Sequence, residues 1–376
     1  MNPIPAYPTL HRGDSSDILP AVKAQLSRLG LEVGDTGSDA YDSTFYDAIR
    51  AFQQTRGLLC DGILGPETFA QIELARHRLG DRVLRYDPVR PLVGDDVAEL
   101  QKLLSRLGIY TGRIDYEFGP TTEGAVKEAQ NGIGIRPDGI AGPATLKGLE
   151  AISHNHAGGN LYALQEKARV TASGPSLVGR VFVIEAATSA QDFMSAPYTE
   201  EQRALELEFS GDIARRLEGR LAALGASPIV ITGDHRQPRL GDELGASGVI
   251  TINQDASRSS RANGISTFFF GSAEDRSINS PVGEKIAGLV QKELTARTTF
   301  LDCRAHPRTW TSLRILRTPK VHVTAGYVTN AHDVELLRSP AVRDAIAYSI
   351  AVSLQRLYLT EEKDPPTGTL DLTTLR

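Results

Sequence analysis

Asp61-Gly62-Ile63-Leu64-Gly65-Pro66-Glu67-Thr68 returns 77 residues later as Asp138-Gly139-Ile140-Ala141-Gly142-Pro143-Ala144-Thr145. Self-similarity at a fixed offset marks two copies of one supersecondary unit. Upstream, Leu26-Ser27-Arg28-Leu29-Gly30 matches Leu104-Ser105-Arg106-Leu107-Gly108. Each copy opens on a Gly-Asp pair, Gly13-Asp14 or Gly94-Asp95, before an amphipathic helix. Val97, Leu100, Leu103, Leu104 and Leu107 fall at helical spacing on one apolar face, and Gly108 suits the left-handed position after a helix. A second helix carries Ala48, Ile49 and Phe52 in one copy, and Ala125, Val126 and Ala129 in the other. A third begins at Pro66 or Pro143, where proline fits the first turn. The repeats therefore predict two small all-α three-helix modules, over 9–76 and 83–150.

Past the repeats the pattern changes. Residues 151–178 contain Gly158-Gly159 and Ser173-Gly174-Pro175 and read as a linker with a short helix around Ala163 to Ala168. His154 and His156 lie in it without neighbouring ligand types, as solvated loop residues. From Val181 onward strands alternate with helices, the signature of an α/β domain with a mainly parallel twisted sheet, over 179–358. The expected strands are Val181 to Ile184, Pro228 to Ile231, Val249 to Ile252, Ile265 to Phe270, Leu313 to Leu316 and Val321 to Val323. The expected helices are Glu201 to Leu224, Pro281 to Thr295 and Val334 to Leu357. Ile213, Leu217, Leu221 and Leu224 give the first of these a sheet-facing stripe. The tail, 359–376, holds Pro365-Pro366 and five threonines without apolar periodicity, so disorder is expected there.

Composition bounds the function. A chain of 376 residues, 40% hydrophobic and 23% charged, can bury more than one core. Its formal net charge of -5 argues against nucleic acid or an anionic membrane as the main partner. No apolar run reaches the length of a membrane span. Met1 to Leu10 has three prolines and no apolar stretch behind a basic start, so no export signal and a cytoplasmic location are expected. Cys60 and Cys303 are the only cysteines, too few for a disulfide framework or a Cys-rich metal site, and two buried thiols are expected. No Gly-x-Ser-x-Gly nucleophile motif occurs.

The Asp-Gly-x-x-Gly-Pro-x-Thr signature resembles that of peptidoglycan-binding modules, and the C-terminal region resembles a zinc-dependent N-acetylmuramoyl-L-alanine amidase. That family's first strand ends in Val-Ile-Asp-Pro-Gly-His, and here the segment is Val183-Ile184-Glu185-Ala186-Ala187-Thr188. A Glu opening the first long helix is its second ligand, and register puts Glu206 there. The third lies in Ser-Ile-His, here Thr251-Ile252-Asn253. The catalytic Glu lies in Val-Glu-x-Gly-Phe-x-(Ser/Thr)-Asn, here Val323-Thr324-Ala325-Gly326-Tyr327-Val328-Thr329-Asn330. Thr188, Asn253 and Thr324 thus replace His, His and Glu.

Zinc lowers the pKa of its bound water and polarises the scissile carbonyl, and a carboxylate moves the proton. A catalytic site needs three protein ligands and one open position. Thr and Asn are poor substitutes for imidazole, and Thr is no base at neutral pH. No zinc or other cofactor is therefore expected, and catalysis is expected to be lost. A rebuilt site is the competing reading: alternation places His322 on the same strand face as Thr324, and Glu185 and Glu206 would complete a two-carboxylate, one-His set.

The whole arrangement resembles a group of actinobacterial amidase homologues. That resemblance implies a cytoplasmic regulator of peptidoglycan precursor synthesis, controlled by a Ser/Thr protein kinase and acting on MurA, the UDP-N-acetylglucosamine enolpyruvyl transferase. Thr367, Thr369, Thr373 and Thr374 are candidate phosphoacceptors. A phosphate there adds about two negative charges and would suit a phosphothreonine-binding partner. The alternatives are a protein that binds peptidoglycan fragments or precursors, and a hydrolase with the rebuilt site.

Overall fold

The computed structural model describes residues 8–153, 161–187, 198–233, 238–359 and 364–372. His154 and His156 lie outside them. The chain divides into two units, residues 1–165 with 274–278, and residues 166–273 with 279–376.

In the first unit each repeat contributes three helices. They are α1 (Leu19–Arg28), α2 (Ser43–Thr55) and α3 (Pro66–Leu74), then α4 (Asp95–Arg106), α5 (Pro120–Gly132) and α6 (Pro143–Ser153). The two cores are separate. Leu19, Leu26, Phe45, Ile49 and Ile72 close the first, and Val97, Leu100, Leu104, Val126 and Leu149 the second. Asp-Gly turns repeat because a buried glutamine grips each one. Gln53 Nε2 donates to Asp61 Oδ1 (2.8 Å) and to the Ile63 carbonyl (3.0 Å), while its Oε1 accepts from Gly62 N (2.9 Å). Gln130 makes the matching bonds to Asp138, Ile140 and Gly139. Gly62 has φ +68°, and a Cβ there would meet the Tyr46 ring at 2.1 Å, so only glycine fits.

The two copies enter their first helices differently. Helix α4 starts directly after Gly94, but α1 starts at Leu19, five residues past Asp14. The Asp14 carboxylate instead accepts from the backbone of His11 at 2.7 Å and closes a turn. The two repeats are joined by Arg56, which donates to both oxygens of Asp95 at 3.1 and 2.6 Å.

Helix α7 (Leu161–Ala172) spans the boundary at residue 165, and the second unit then forms a six-stranded sheet. Its strands are β1 (Val181–Ala186), β2 (Ser227–Thr232), β3 (Gly248–Asp255), β4 (Ile265–Phe270), β5 (Asp302–Arg308) and β6 (Lys320–Tyr327), in the order β2-β1-β3-β6-β4-β5. Only the β4–β6 pairing is antiparallel. The helices are α8 (Glu200–Ala223), α9 (Leu240–Glu243), α10 (Pro281–Arg297), α11 (Thr311–Arg314), α12 (Ala331–Arg338) and α13 (Pro340–Leu357). Phe182, Ile184, Ile250, Ile252, Val321 and Val323 share a core with Ile213, Leu217 and Leu221 of α8, Ile286 and Val290 of α10, and Ile346 and Ile350 of α13. The opposite face carries a smaller cluster of Val183, Val249 and Leu316.

The sheet corrects the expected strands. Leu313 to Leu316 is not a strand: α11 covers its start, and Leu313 and Leu316 are buried side chains on short helical and turn backbone. The missing strand is β5, whose sequence Asp-Cys-Arg-Ala-His-Pro-Arg has no apolar alternation. It lies at the sheet edge, where Pro307 costs no ladder bond on the open side. The long helix from Val334 breaks at Ser339-Pro340, because proline cannot continue a helix but can open one. Cys60 is exposed and Cys303 half-buried, and both are free, so the expectation of two buried thiols fails.

The tail is also corrected. Residues 364–372 are packed: Leu370 and Leu372 are each only 8% exposed and join the main core. Arg356 donates to both oxygens of Asp364 (2.6 and 2.9 Å), and Gly368 N donates to the buried Glu293 at 3.1 Å. Two leucines and a few fixed polar bonds hold a segment whose composition has no periodic signal.

Candidate functional site

The site is built at the carboxyl ends of β1, β3 and β6, beside the first turns of α8. Thr199 caps that helix in a reciprocal capping box with Gln202, which sets the entry angle of the chain. Arg203 and Glu206 follow at i and i+3 and so share one face. Glu206 has no solvent exposure. Asn253 Nδ2 donates to its Oε1 at 2.8 Å, and the Arg203 guanidinium pairs with its Oε2. Arg203 Nη2 also donates to the Ala187 carbonyl at 2.9 Å. The Tyr198 hydroxyl lies beside Glu206 and donates to the Gln254 carbonyl. Burial pushes the Glu206 carboxyl pKa up; Arg203, Asn253 and Tyr198 pull against that rise.

Asn253 lies beside Thr324 in the parallel ladder. Glu206, Asn253 and Thr324 therefore meet at one place, and Ala187, the residue before Thr188, reaches it through its carbonyl. Thr188 itself lies outside the described residues.

The set Glu185, Glu206 and His322 does not form. Glu185 and His322 belong to one row running across the sheet, Glu185–Thr251–His322–Phe268, so a whole strand separates them. Glu185 accepts from Thr251 Oγ1 and pairs with Lys320 Nζ, each at 2.7 Å. His322 is fully buried, 3.3 Å from Thr324 Oγ1 through Nε2, and lies against the rings of Phe268 and Trp310. Desolvation, then the charge of Lys320, holds its pKa well below the ordinary imidazole value. Among the described residues no group of three or more His, Cys, Asp or Glu side chains could hold a metal ion. The physical reason is that each of the three has its own partners: Glu206 on α8 with Arg203 and Asn253, Glu185 on β1 with Thr251 and Lys320, and His322 on β6 with Thr324 and the two rings.

Comparison with known proteins places this geometry. Family models match residues 15–72 and 93–149 as a peptidoglycan binding domain, and residues 195–356 as an N-acetylmuramoyl-L-alanine amidase. The N-acetylmuramoyl-L-alanine amidase CwlM of Mycobacterium tuberculosis is 38% identical over 375 residues, covering 96% of this chain and 92% of that protein. The chain belongs to the N-acetylmuramoyl-L-alanine amidase family.

Two further relatives are more partial. The amidase CwlL of Bacillus licheniformis is 28% identical over 163 residues, 38% of this chain and 45% of that one. The solved amidase Ami1 of Mycobacterium smegmatis matches 49% of this chain and 98% of its own at 16% identity, with a TM-score of 0.39.

The family's zinc can be tested against the residues present. At the meeting point stand one carboxylate already paired with a guanidinium, one amide and one hydroxyl. Zinc sites are built from imidazole, thiolate and carboxylate with a position left for water. This donor set does not fit zinc.

Sequence reading missed Arg203, Tyr198 and Lys320. Arg203 had one legible signal: a cation in the first turn of a helix opposes the helix dipole and calls for a local partner.

Among the described residues no helix is long and apolar enough to cross a membrane.

Proposed function

We propose that this amidase homologue is catalytically silent and regulates peptidoglycan precursor synthesis, with MurA as its target and Ser/Thr phosphorylation of the C-terminal threonines as its control. The observation that carries the first half is the Glu206 environment. The one surviving ligand position is tied to Arg203 and Asn253, and Thr324 stands where a proton-moving carboxylate is required. A fold that keeps its frame but has no water-activating centre is suited to binding rather than to hydrolysis. The target and the kinase come from the likeness to the actinobacterial homologues. Thr367 and Thr369 are exposed and open to a kinase; Thr373 and Thr374 lie outside the described residues.

The test has two arms. Muropeptides incubated with the purified protein and zinc should release no peptide, and MurA turnover should differ between phosphorylated and unmodified protein. Peptide release would overturn the silent reading, and equal turnover would overturn the regulatory one. A second reading, binding of peptidoglycan fragments or precursors, is favoured by the two intact modules with separate cores. Saturable binding of muropeptides to the isolated tandem 8–153, with no effect on MurA, would favour it.

A further inference from the structure

We infer that Arg203 is a resident cation of the vestigial cleft, holding Glu206 and the end of β1 together in the electrostatic place of a metal and leaving no open coordination position. The inference deepens the silent-homologue reading and rests on it.

Three observations converge on this residue. Glu206 is fully buried, and an ionised carboxylate in such a place requires a compensating charge. Arg203 supplies it from one turn away and, through its second nitrogen, fixes the Ala187 carbonyl at 2.9 Å. Ala187 has φ +50°, a left-handed conformation that a residue with a Cβ rarely adopts, so its carbonyl needs an anchor in that direction. Arg203 also sits at the end of α8 where the helix dipole disfavours a cation. A charge kept there against the dipole is kept for its partners.

The chemistry of the guanidinium explains the consequence. It is planar, permanently charged and presents five donors in a fixed fork, so one group can satisfy a carboxylate and a carbonyl at once. It has no empty orbital and no exchangeable ligand position, so it supplies charge without activating water. A divalent ion entering here would have to displace Arg203 and leave a partly buried guanidinium unpaired. The cleft therefore keeps its shape without metal and ignores metal in solution.

The experiment uses the full chain. The melting midpoint is measured for the wild type and for Arg203→Ala, each with low-millimolar methylguanidinium, sodium chloride at equal ionic strength, or zinc chloride. The variant should melt roughly 5–10 °C lower, methylguanidinium should recover at least half of that shift, and sodium and zinc should recover none. The wild type should respond to none of the three. A general packing defect would not be recovered by one cation alone. If Arg203→Ala fails to fold, Arg203→Lys and Arg203→Gln decide: the lysine variant should retain more of the midpoint than the glutamine variant.

Unchanged melting of Arg203→Ala, recovery by zinc as good as by methylguanidinium, or no recovery at all would overturn the proposal. Equal loss in the lysine and glutamine variants would do the same. Peptide release from muropeptides is assayed on the same samples. Release by wild-type protein with the methylguanidinium recovery intact would remove the silent reading and keep the resident cation. No release together with failed recovery would do the reverse.

Discussion

Arg356 of α13 meets the carboxylate of Glu293 of α10 at 2.6 Å, and neither side chain has more than 7% of its surface exposed. Around this pair the last described part of the chain is assembled. Arg297 donates to the other Glu293 oxygen at 2.9 Å and to the Leu370 carbonyl at 2.9 Å, while Gly368 N closes on Glu293 from the tail side. One buried carboxylate thus serves two arginines and a backbone amide. Removing it leaves Arg297 without its carboxylate and Arg356 with Asp364 alone, and breaking a buried pair in this way costs about 3–5 kcal/mol. Glu293→Ala should lose that much stability in urea titration of the full chain, and residues 364–372 should exchange their amide hydrogens faster. Unaltered exchange in that segment would show that the leucines alone hold it.

The same latch gives the two described threonines different roles. Thr367 Oγ1 accepts from Arg356 at 3.3 Å, close to the Asp364 and Glu293 carboxylates. Thr369 only donates to the Pro366 carbonyl at 2.7 Å. A phosphate on Thr367 would compete with two carboxylates for one guanidinium and repel both. Phosphorylation at Thr367 is therefore expected to loosen residues 364–372, and phosphorylation at Thr369 to leave them packed. Hydrogen exchange on singly phosphorylated protein, prepared with Thr367→Ala or Thr369→Ala as the complementary background, checks this. Equal protection in the two forms would contradict it.

The repeats were legible because turns are written in residue types that have few other uses. Gly62, Pro66 and Asp61 each occupy a position that almost no other residue fits, and the second copy repeats the pattern. The central strands β3 and β6 were legible as apolar runs. Edge strand β5 was not, because half its surface needs no apolar side chain. The packed tail was not legible either: Leu370 and Leu372 gain meaning only from Glu293 and Arg356, which lie far away in sequence. At the site, the strand-end motifs led to Glu206, Asn253 and Thr324, and these do meet in space. What occupies the space between them did not follow from a motif. Glu200-Glu201-Gln202-Arg203 reads as a solvated helix start until the fold turns Arg203 inward.

The glutamine grips of the repeats make a stability prediction. Gln101 Nε2 donates to Asp115 Oδ1 (2.7 Å) and the Glu117 carbonyl (3.0 Å), and its Oε1 accepts from Asp115 N (3.0 Å). In the first copy the equivalent position is Lys23, fully buried, whose amine reaches the Ala40 carbonyl at 2.8 Å. Each unsatisfied buried group costs about 1–3 kcal/mol. Gln101→Ala should therefore destabilise the second module by at least 2 kcal/mol, and Gln101→Glu by a similar amount because it cannot donate. Denaturation of the isolated tandem 8–153 measures both. A loss below about 0.5 kcal/mol in each would mean that the Asp115–Glu117 turn, with Tyr116 at φ +66°, stands without its glutamine.

His322 makes the protein sensitive to mild acid. Its ring is buried against Phe268 and Trp310, and desolvation with the Lys320 charge keeps it neutral in the folded chain. In the unfolded chain it titrates near the ordinary value of about 6.5. Below that pH the unfolded state binds a proton that the folded state refuses, so stability is lost as pH falls and is unaffected above it. The contribution approaches about 1.4 kcal/mol for each pH unit below 6.5, until the depressed folded-state pKa is reached. Between pH 6.5 and 5.5 the wild type should lose about 1 kcal/mol from this group. His322→Phe keeps an aromatic ring beside Phe268 and Trp310 and removes the titration. Other groups, including His306, whose pKa burial also lowers, titrate alike in both proteins. The difference between the two urea-stability curves should therefore narrow by about 1 kcal/mol toward the variant over that window. Parallel curves would show that His322 takes up its proton inside the folded sheet, and that its surroundings open before the chain unfolds.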